Sequence, residues 1–217
     1  MEAHASPRVT RDRRADLLRG IYLIVNEGTR AVDVAHAALR AGVRIVQYRA
    51  KSGVNARRLH DLRALTRERD ALLIANDDWR AALDFDCDGV HLGPGDEGFA
   101  HVAPVRAALG ERLIGLSCGT VTEARAAETA GADYVGVGSV FATGSKADAG
   151  DPIGIAGLIR VAAATRLPVA AIGGIGHENL ATVAATGVSM AATISAIAAA
   201  ADPAAAAAEL VQIWNAR

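Results

Sequence analysis

The sequence has few cysteines, no long apolar run and almost no net charge, and each shortage excludes a class of protein. Its 217 residues include two cysteines, Cys87 and Cys118, which form no C-x-x-C motif and no metal-ligand spacing. Two isolated cysteines in a chain of this length do not make the disulfide framework on which small secreted domains depend. We therefore expect a reducing, cytoplasmic location and packing roles for both thiols.

Long apolar segments are missing as well. No run approaches the roughly 18 consecutive apolar residues of a membrane span, so no membrane association is expected. Residues 1–20 are polar and rich in arginine without an apolar core, which argues against a secretory signal and predicts a frayed tail. The formal net charge of −1 lacks the basic field of a nucleic-acid-binding protein, so an acidic ligand would have to be bound by local groups.

What the chain does have is a regular series of short apolar runs. Hydrophobic residues make up 51% of the sequence, enough to build one sizeable core. The β-branched and aliphatic runs are continuously apolar, which is typical of parallel strands covered on both faces. The runs lie at 21–25, 44–48, 72–75, 89–92, 113–117, 134–138, 168–173 and 188–193.

Between these runs lie segments whose apolar residues are three or four positions apart, the spacing of amphipathic helices. Several end in glycine directly before the next strand, which is a frequent helix stop. Eight strand-and-helix units predict an α/β fold, a single (β/α)8 TIM barrel over residues 21–217. A doubly wound open sheet is the alternative, but the segment after the first strand, NEGTRAVD, lacks the G-x-G-x-x-G pattern usual for that fold.

The carboxyl ends of the predicted strands carry a set of polar residues that the strand starts do not match. In a barrel these ends form one rim, where barrel enzymes place their active sites. Seven consecutive strands, from the second to the eighth, deliver polar residues or glycines to this rim. The rim residues are Gln47, Arg49, Lys51, Asn76, Asp77, His91, Asp96, Ser117, Thr143, Ser145, Lys146, Gly173, Gly174, Thr193 and Ser195.

Gln47, Arg49 and Lys51 alternate along an extended segment and therefore point to the same side. Two cations and an amide that face inward suit a phosphate or diphosphate group. The alternative is a solvated strand end whose cations form salt bridges, and these three residues alone do not decide between the two interpretations.

Asp77 and Asp96 follow neighbouring strands and offer hard oxygen ligands. Proteins usually hold Mg²⁺ by one or two carboxylates with phosphate completing its coordination, so the pair predicts a magnesium site. Asn76 would face the ligand, and Asp78 is interpreted as the N-cap of the next helix. Helix capping is the alternative for the whole segment 76–78, and the second acid at Asp96 favours metal binding.

Two small-residue loops predict contacts with an anion. The segment TGSK (143–146) combines hydroxyl groups with one cation, and its small residues permit close approach of the backbone. The segment GGIG (173–176) precedes a helix predicted to start near His177, and glycine loops before helices bind phosphate. A surface turn and a helix cap are the alternative interpretations of these loops. His91 is interpreted as a hydrogen-bonded structural residue.

Seven strings occur in order from about residue 21 to the C-terminus: VQYRAK, ANDD, DGVHLGPGD, IGLS, ADYVGVGSVFATGSKADA, PVAAIGGIGHENL and ISAI. Together they resemble the thiamine-phosphate synthase family in sequence and spacing. The resemblance implies a barrel enzyme that uses Mg²⁺. Such an enzyme joins a hydroxymethylpyrimidine diphosphate to a thiazole phosphate carboxylate and releases pyrophosphate and CO2.

The resemblance also implies roles for the matching residues. Mg²⁺ would be held by Asp77 and Asp96. The pyrimidine diphosphate would be bound by Gln47, Tyr48, Arg49, Ala50, Lys51, Asn76, Ser117 and Lys146. The thiazole phosphate would be bound by Thr143, Gly144, Ser145, Gly174, Ile194 and Ser195. The reaction is dissociative, so Arg49, Lys51, Lys146 and Ser117 are expected to act on it directly, the cations by stabilising the departing pyrophosphate.

Four positions depart from the family pattern and keep two alternatives open. The family usually has proline at Ser139 and often at Ala142, commonly glutamine at Pro94, and often histidine at Gly119. The related thiazole tautomerases use a histidine at that last place and tend to lose the metal and diphosphate residues, whereas this chain has the reverse pattern. A non-catalytic barrel that binds a thiamine precursor is the second alternative. An oligomer is possible, and the sequence does not decide between carboxylated and aromatic thiazole phosphate.

Overall fold

Eight short segments form a closed parallel barrel in which the strands follow one another in chain order. The computed structural model describes residues 10–144 and 151–216. Pairing of the first strand with the last closes the barrel and places Gly20 beside Met190, so the predicted (β/α)8 barrel is confirmed. The strands are Gly20–Asn26 (β1), Ile45–Arg49 (β2), Leu72–Asn76 (β3), Gly89–Leu92 (β4), Leu113–Cys118 (β5), Tyr134–Val137 (β6), Val169–Ala171 (β7) and Met190–Thr193 (β8).

Helices alternate with the strands and cover the barrel from outside. They are Arg11–Ala15 (α1), Ala31–Arg40 (α2), Ala56–Glu68 (α3), Trp79–Asp84 (α4), Val102–Leu109 (α5), Val121–Thr129 (α6), Gly154–Ala162 (α7), Leu180–Ala184 (α8), Ser195–Ala198 (α9) and Pro203–Asn215 (α10). Several begin at a side chain that accepts hydrogen bonds from the first turn. The Asp78 carboxylate accepts from the N–H groups of Arg80 and Ala81, which confirms its predicted role as the N-cap of α4.

The helix expected between the fourth and fifth strands is α5, and Pro104 lies in its first turn, where a missing N–H costs no helical hydrogen bond. α8 begins at Leu180 rather than near His177. Before it, the Asn179 side chain accepts from the Gly176 N–H at 3.0 Å and donates to the Gly174 carbonyl at 2.9 Å. The glycine-rich segment is therefore held in a turn and is not followed directly by a helix.

Residues 10–20 are ordered, where the sequence predicted a frayed tail, and residues 1–9 lie outside the described part of the chain. In α1, Arg11 pairs with Asp133, and the Arg14 Nε lies 3.2 Å from a carboxylate oxygen of Asp88. Leu18 is buried among the residues that fill the barrel. Because Asp88 and Asp133 directly precede β4 and β6, α1 covers the amino end of the barrel, opposite to the predicted rim.

Two apolar layers hold the fold together. Alternate strand residues such as Tyr22 and Ile24 fill the barrel interior, and their neighbours Leu23 and Val25 pack in the layer outside it with the helices. No helix within the described ranges is long and apolar enough to cross a membrane. The inner layer leaves a space at the carboxyl ends of the strands, and most of the predicted site residues line this space.

Candidate active site

A cavity of about 440 Å³ lies at the carboxyl end of the barrel. Tyr22, Ile24 and Ala170 of the inner layer form part of its wall. Its volume falls in the range of sites for small molecules. The predicted site residues that line it are Gln47, Arg49, Lys51, Asn76, Asp77, Asp96, Ser117, Thr143, Gly174, Ile194 and Ser195.

Some predicted residues lie elsewhere. Successive residues of a strand point to opposite faces, and Gln47 and Arg49 take the inner face of β2. The Tyr48 hydroxyl instead donates to Glu27 and accepts from the Asn55 N–H, so this side chain points away from the cavity. Ala50 and Gly144 also do not line the cavity. Ser145 and Lys146 lie outside the described residues.

Asp77 and Asp96 meet at the rim, and the backbone helps to hold both. Asp77 has a φ of 68°, and its N–H donates to the His91 carbonyl at 2.9 Å. The Asp96 carboxylate accepts from the Gly93 N–H at 2.6 Å. Burial raises the pKa of Asp96, and a hydrogen bond with Asp77 and the charge of Asp77 raise it further. The charge of one carboxylate thus disfavours the ionised form of the other.

Two cations stand beside this acid pair. Lys51 Nζ lies 2.7 Å from a carboxylate oxygen of Asp77, and Arg49 donates to the Asn26 side chain at 3.1 Å. Burial acts to raise the pKa of Asp77, but its hydrogen bonds and the charges of Lys51 and Arg49 outweigh burial and lower the pKa. Acids and cations side by side can together bind a metal ion and the phosphate that the metal carries.

The glycine-rich segment lies on the opposite side of the barrel, after β7. Gly173 and Gly174 have φ values of 103° and 64°, in the region that favours glycine. A Cβ on Gly173 would lie 2.1 Å from the Ser139 Oγ, and one on Gly174 would lie 2.5 Å from the Ala142 carbonyl oxygen. Glycine is therefore required for the loop after β6, which carries Thr143, to approach this segment.

Two polar side chains inside the barrel, Tyr22 and Tyr134, were not predicted as site residues. His91 was interpreted from the sequence as a hydrogen-bonded structural residue, and its ring is hydrogen-bonded on both sides. The His91 ring contacts the Ser117 Oγ through Nε2 at 3.1 Å and the Tyr134 hydroxyl through Nδ1 at 3.2 Å. Tyr22 and Tyr134 are fully buried in strands whose two faces are both apolar. The sequence pattern therefore did not show which of their neighbours faces the interior.

Further residues of the wall were also not predicted. The Glu123 carboxylate lines the cavity and accepts from the N–H groups of Gly119 and Thr120 at 2.6 and 3.0 Å, and Asp151 lies in the wall as well. Of the four departures from the family pattern, Pro94, Gly119 and Ser139 line the cavity and Ala142 does not. Three of the four departures therefore lie where they affect the shape of the site.

Comparison with known proteins gives matches over nearly the whole barrel. A family model described as thiamine monophosphate synthase matches residues 21–197. The thiamine-phosphate synthase of Moorella thermoacetica is 45% identical over 203 residues, which cover 89% of this chain and 94% of that protein. The thiamine-phosphate synthase of Archaeoglobus fulgidus is 45% identical over 201 residues, covering 89% and 92%.

A solved structure is similar in fold and in sequence. The thiamine phosphate pyrophosphorylase from Pyrococcus furiosus superposes with a TM-score of 0.82 at 36% identity. The match covers 94% of this chain and 98% of that one. Sequence and structure comparisons therefore point to the same group of enzymes.

Proposed function

Because the chain belongs to the thiamine monophosphate synthase family and is a transferase of thiamine biosynthesis, we propose the following reaction for the mouth of its barrel. The enzyme joins 4-amino-2-methyl-5-(diphosphomethyl)pyrimidine to a thiazole phosphate, with or without a carboxyl group. The products are thiamine phosphate and pyrophosphate, together with CO2 when the thiazole phosphate carries a carboxyl group. Small molecules are thus its substrates, and no role for nucleic acid or membrane enters the proposal.

One observation carries this proposal: a single cavity gathers the acid pair Asp77 and Asp96, two cations and a glycine-rich segment. Lys51 and Arg49 lie next to Asp77 and Asp96 on one side, and Gly174 and Ser195 line the other side. A molecule with a phosphate at each end would span such a cavity. The arrangement therefore suits two phosphorylated substrates bound at once.

Asp77 and Asp96 are proposed to hold Mg²⁺. Their carboxyl groups lie close enough for a hydrogen bond with Asp77 and its charge to raise the pKa of Asp96, and hard oxygen donors are the ligands that Mg²⁺ accepts. Within the described ranges no group of three or more His, Cys, Asp or Glu residues could hold a metal. Water and phosphate oxygens would therefore complete the coordination, as is usual for Mg²⁺. The metal would neutralise charge on the diphosphate.

The side chains on the acid side are proposed to stabilise the leaving group. Negative charge moves onto pyrophosphate as its C–O bond breaks, and positioned cations stabilise that charge more than the ground state. Arg49 and Lys51 line the cavity and would supply this positive charge, and Ser117 would add a hydroxyl group. Gln47 and Asn76 would hold the same substrate. Lys146 is proposed as a third cation from outside the described residues.

The thiazole phosphate is proposed to bind along Thr143, Gly174, Ile194 and Ser195, which line the opposite wall. Its ring nitrogen would attack the pyrimidine carbon after pyrophosphate leaves, so no protein nucleophile takes part. Cys118 lies in the wall, but burial raises the pKa of its thiol to about 12, and a protonated thiol is a poor nucleophile. The site chemistry thus agrees with direct transfer between two substrates.

A coupling assay tests the proposal. Purified protein is incubated with the pyrimidine diphosphate, each form of thiazole phosphate and Mg²⁺, and thiamine phosphate is measured by chromatography. We expect product that depends on enzyme, on both substrates and on Mg²⁺. Conversion of the carboxylated thiazole to an isomer without coupling would support a tautomerase instead, and binding without turnover would support a precursor-binding barrel.

We also propose that the protein is located in the cytoplasm. Cys87 and Cys118 are both free and buried, which suits a reducing compartment. Cell fractionation with an antibody against the protein would test the location. Recovery in the membrane or extracellular fraction would contradict it.

A further inference from the structure

A chain of five hydrogen-bonded side chains crosses the interior of the barrel. Gln47 Nε2 lies 2.8 Å from the Tyr22 hydroxyl, which lies 2.9 Å from the Tyr134 hydroxyl. Tyr134 contacts Nδ1 of His91 at 3.2 Å, and Nε2 of His91 contacts the Ser117 hydroxyl at 3.1 Å. The chain therefore joins Gln47 and Ser117, two residues proposed to bind the pyrimidine diphosphate, through groups without an assigned role.

The barrel is built to contain this chain. A Cβ on Gly115 would lie 2.1 Å from the Tyr134 ring, and one on Gly136 would lie 2.9 Å from the His91 ring. Tyr22 and Tyr134 are 2% and 0% exposed. Burial raises the pKa of both phenols above the ordinary value, so both hydroxyls keep their protons and act as donors. Two glycines thus provide the space that the phenol and the imidazole occupy.

The end at Gln47 sets the direction of the hydrogen bonds. Its Nε2 carries only donor hydrogens, so Tyr22 accepts there and has its own hydrogen available for Tyr134. In this orientation Tyr134 would donate to Nδ1 of His91, which would then be the unprotonated nitrogen of a neutral ring. Nε2 would carry the hydrogen and donate to the Ser117 oxygen. The Ser117 hydrogen is left to point at an acceptor in the cavity.

We propose that Tyr134, with Tyr22 behind it, is a positioning residue that fixes His91 as the Nε2–H tautomer and thereby makes Ser117 a hydrogen-bond donor to the departing diphosphate. The reverse orientation would make Ser117 donate to His91 and leave its oxygen lone pairs toward the negatively charged group. Chains of hydrogen bonds polarise one another, so each donor strengthens the next. The inference rests on the proposed function for its substrate and on the described contacts for its geometry.

Kinetics of single and double variants test the coupling between these residues. Loss of one positioned donor costs on the order of 100-fold in kcat, which we expect for Ser117→Ala. Tyr134→Phe should lower kcat about ten-fold and Tyr22→Phe by less, with the KM for the thiazole phosphate unchanged. In the Ser117→Ala background, Tyr134→Phe should have almost no further effect. Independent effects that multiply in the double variant would overturn the inference.

A matched control separates positioning from stability. Thr66→Val also removes a buried hydroxyl, whose partner is the Arg63 carbonyl in α3, away from the cavity. We expect this variant to lose thermal stability comparable to Tyr134→Phe but to keep kcat. An equal fall of kcat in both variants would show that Tyr134 affects activity only through the stability of the fold.

The tautomer of His91 gives a readout that does not require activity. Nitrogen-15 spectra of histidine-labelled protein, assigned with a His91→Gln variant among the six histidines, report which ring nitrogen is protonated. We expect the Nε2–H form in the native protein and a mixture of tautomers in Tyr134→Phe. The Nδ1–H form in the native protein would overturn the inference even in an active enzyme. Failure of the proposed function would instead appear as native protein that makes no thiamine phosphate.

Discussion

At the scale of single residues, the three adjacent polar side chains of the segment Asn76–Asp78 have different roles. Asn76 and Asp77 line the cavity, and Asp78 caps α4. The cap could be predicted because an acid before a helix has a known preference. For Asp77 and Asp96 the sequence predicted only that both lie at the same rim. Their direct contact could not be predicted, because no local sequence pattern marks the left-handed backbone conformation of Asp77.

Replacement of Asp77 should reduce catalysis without changing the fold. We expect Asp77→Ala to lower thiamine phosphate formation by on the order of 100-fold, because a catalytic metal supplies several kcal/mol of charge stabilisation. Magnesium should no longer stimulate the residual activity, and the circular dichroism spectrum should be unchanged. Steady-state assays with and without Mg²⁺ measure both effects.

Asp78→Ala is the matched control for this experiment. Loss of an N-cap costs about 1 kcal/mol of stability. The variant should keep its response to Mg²⁺, because the Asp78 side chain caps α4. Native-like, Mg²⁺-stimulated turnover by Asp77→Ala would remove Asp77 from the metal site.

A second residue-scale prediction concerns Gly115. An added Cβ would meet the Tyr134 ring at 2.1 Å, and overpacking of this kind costs about 1–3 kcal/mol. Gly115→Ala should therefore be less stable in urea and less active, because Tyr134 has to move. Gly28→Ala is the control, since the nearest atom to its Cβ would lie 4.0 Å away. Equal stability of the two variants would contradict the close packing inside the barrel.

At the scale of elements, the apolar runs predicted all eight strands, and the helix pattern predicted most of the helices. α1 was missed because its sequence, RDRRA, is polar and has no buried residue of its own. Its position depends on ion pairs with Asp88 and Asp133, which lie far away in the sequence. Local pattern cannot reveal an element that tertiary contacts hold in place.

The ion pairs at the amino end should contribute to stability. Asp88 is 6% exposed, accepts from the Leu73 N–H, and pairs with Arg14 and Arg63. Asp88→Asn should lower the free energy of unfolding by about 3 kcal/mol, because it leaves two arginines without their charge partner. Urea denaturation followed by fluorescence measures the change.

Asp86→Asn provides the comparison two residues away. Asp86 also pairs with two arginines, Arg67 and Arg112, but its side chain is 55% exposed. Exposed pairs contribute about 0–1 kcal/mol, so this variant should be nearly as stable as the native protein. A similar loss in both variants would show that burial at the amino end does not decide the strength of these pairs.

At the scale of the whole molecule, the fold and most of the candidate site followed from the sequence, because strand order in a barrel brings the strand ends together. The sequence pattern did not give the direction of every side chain: the Tyr48 hydroxyl points away from the cavity, whereas Tyr22 and Tyr134 face the interior. Net charge gave no position for the cations, since a chain with a net charge of −1 still places Arg49 and Lys51 at one mouth of the barrel.

The most direct test of the account is a crystal structure of the protein with Mg²⁺ and pyrophosphate. We expect one metal ion between Asp77 and Asp96, coordinated by pyrophosphate oxygens, with Arg49, Lys51 and Ser117 in contact with the same anion. Pyrophosphate bound away from this mouth, or bound there with the metal ligated by other residues, would contradict the claim that these side chains together receive the leaving group.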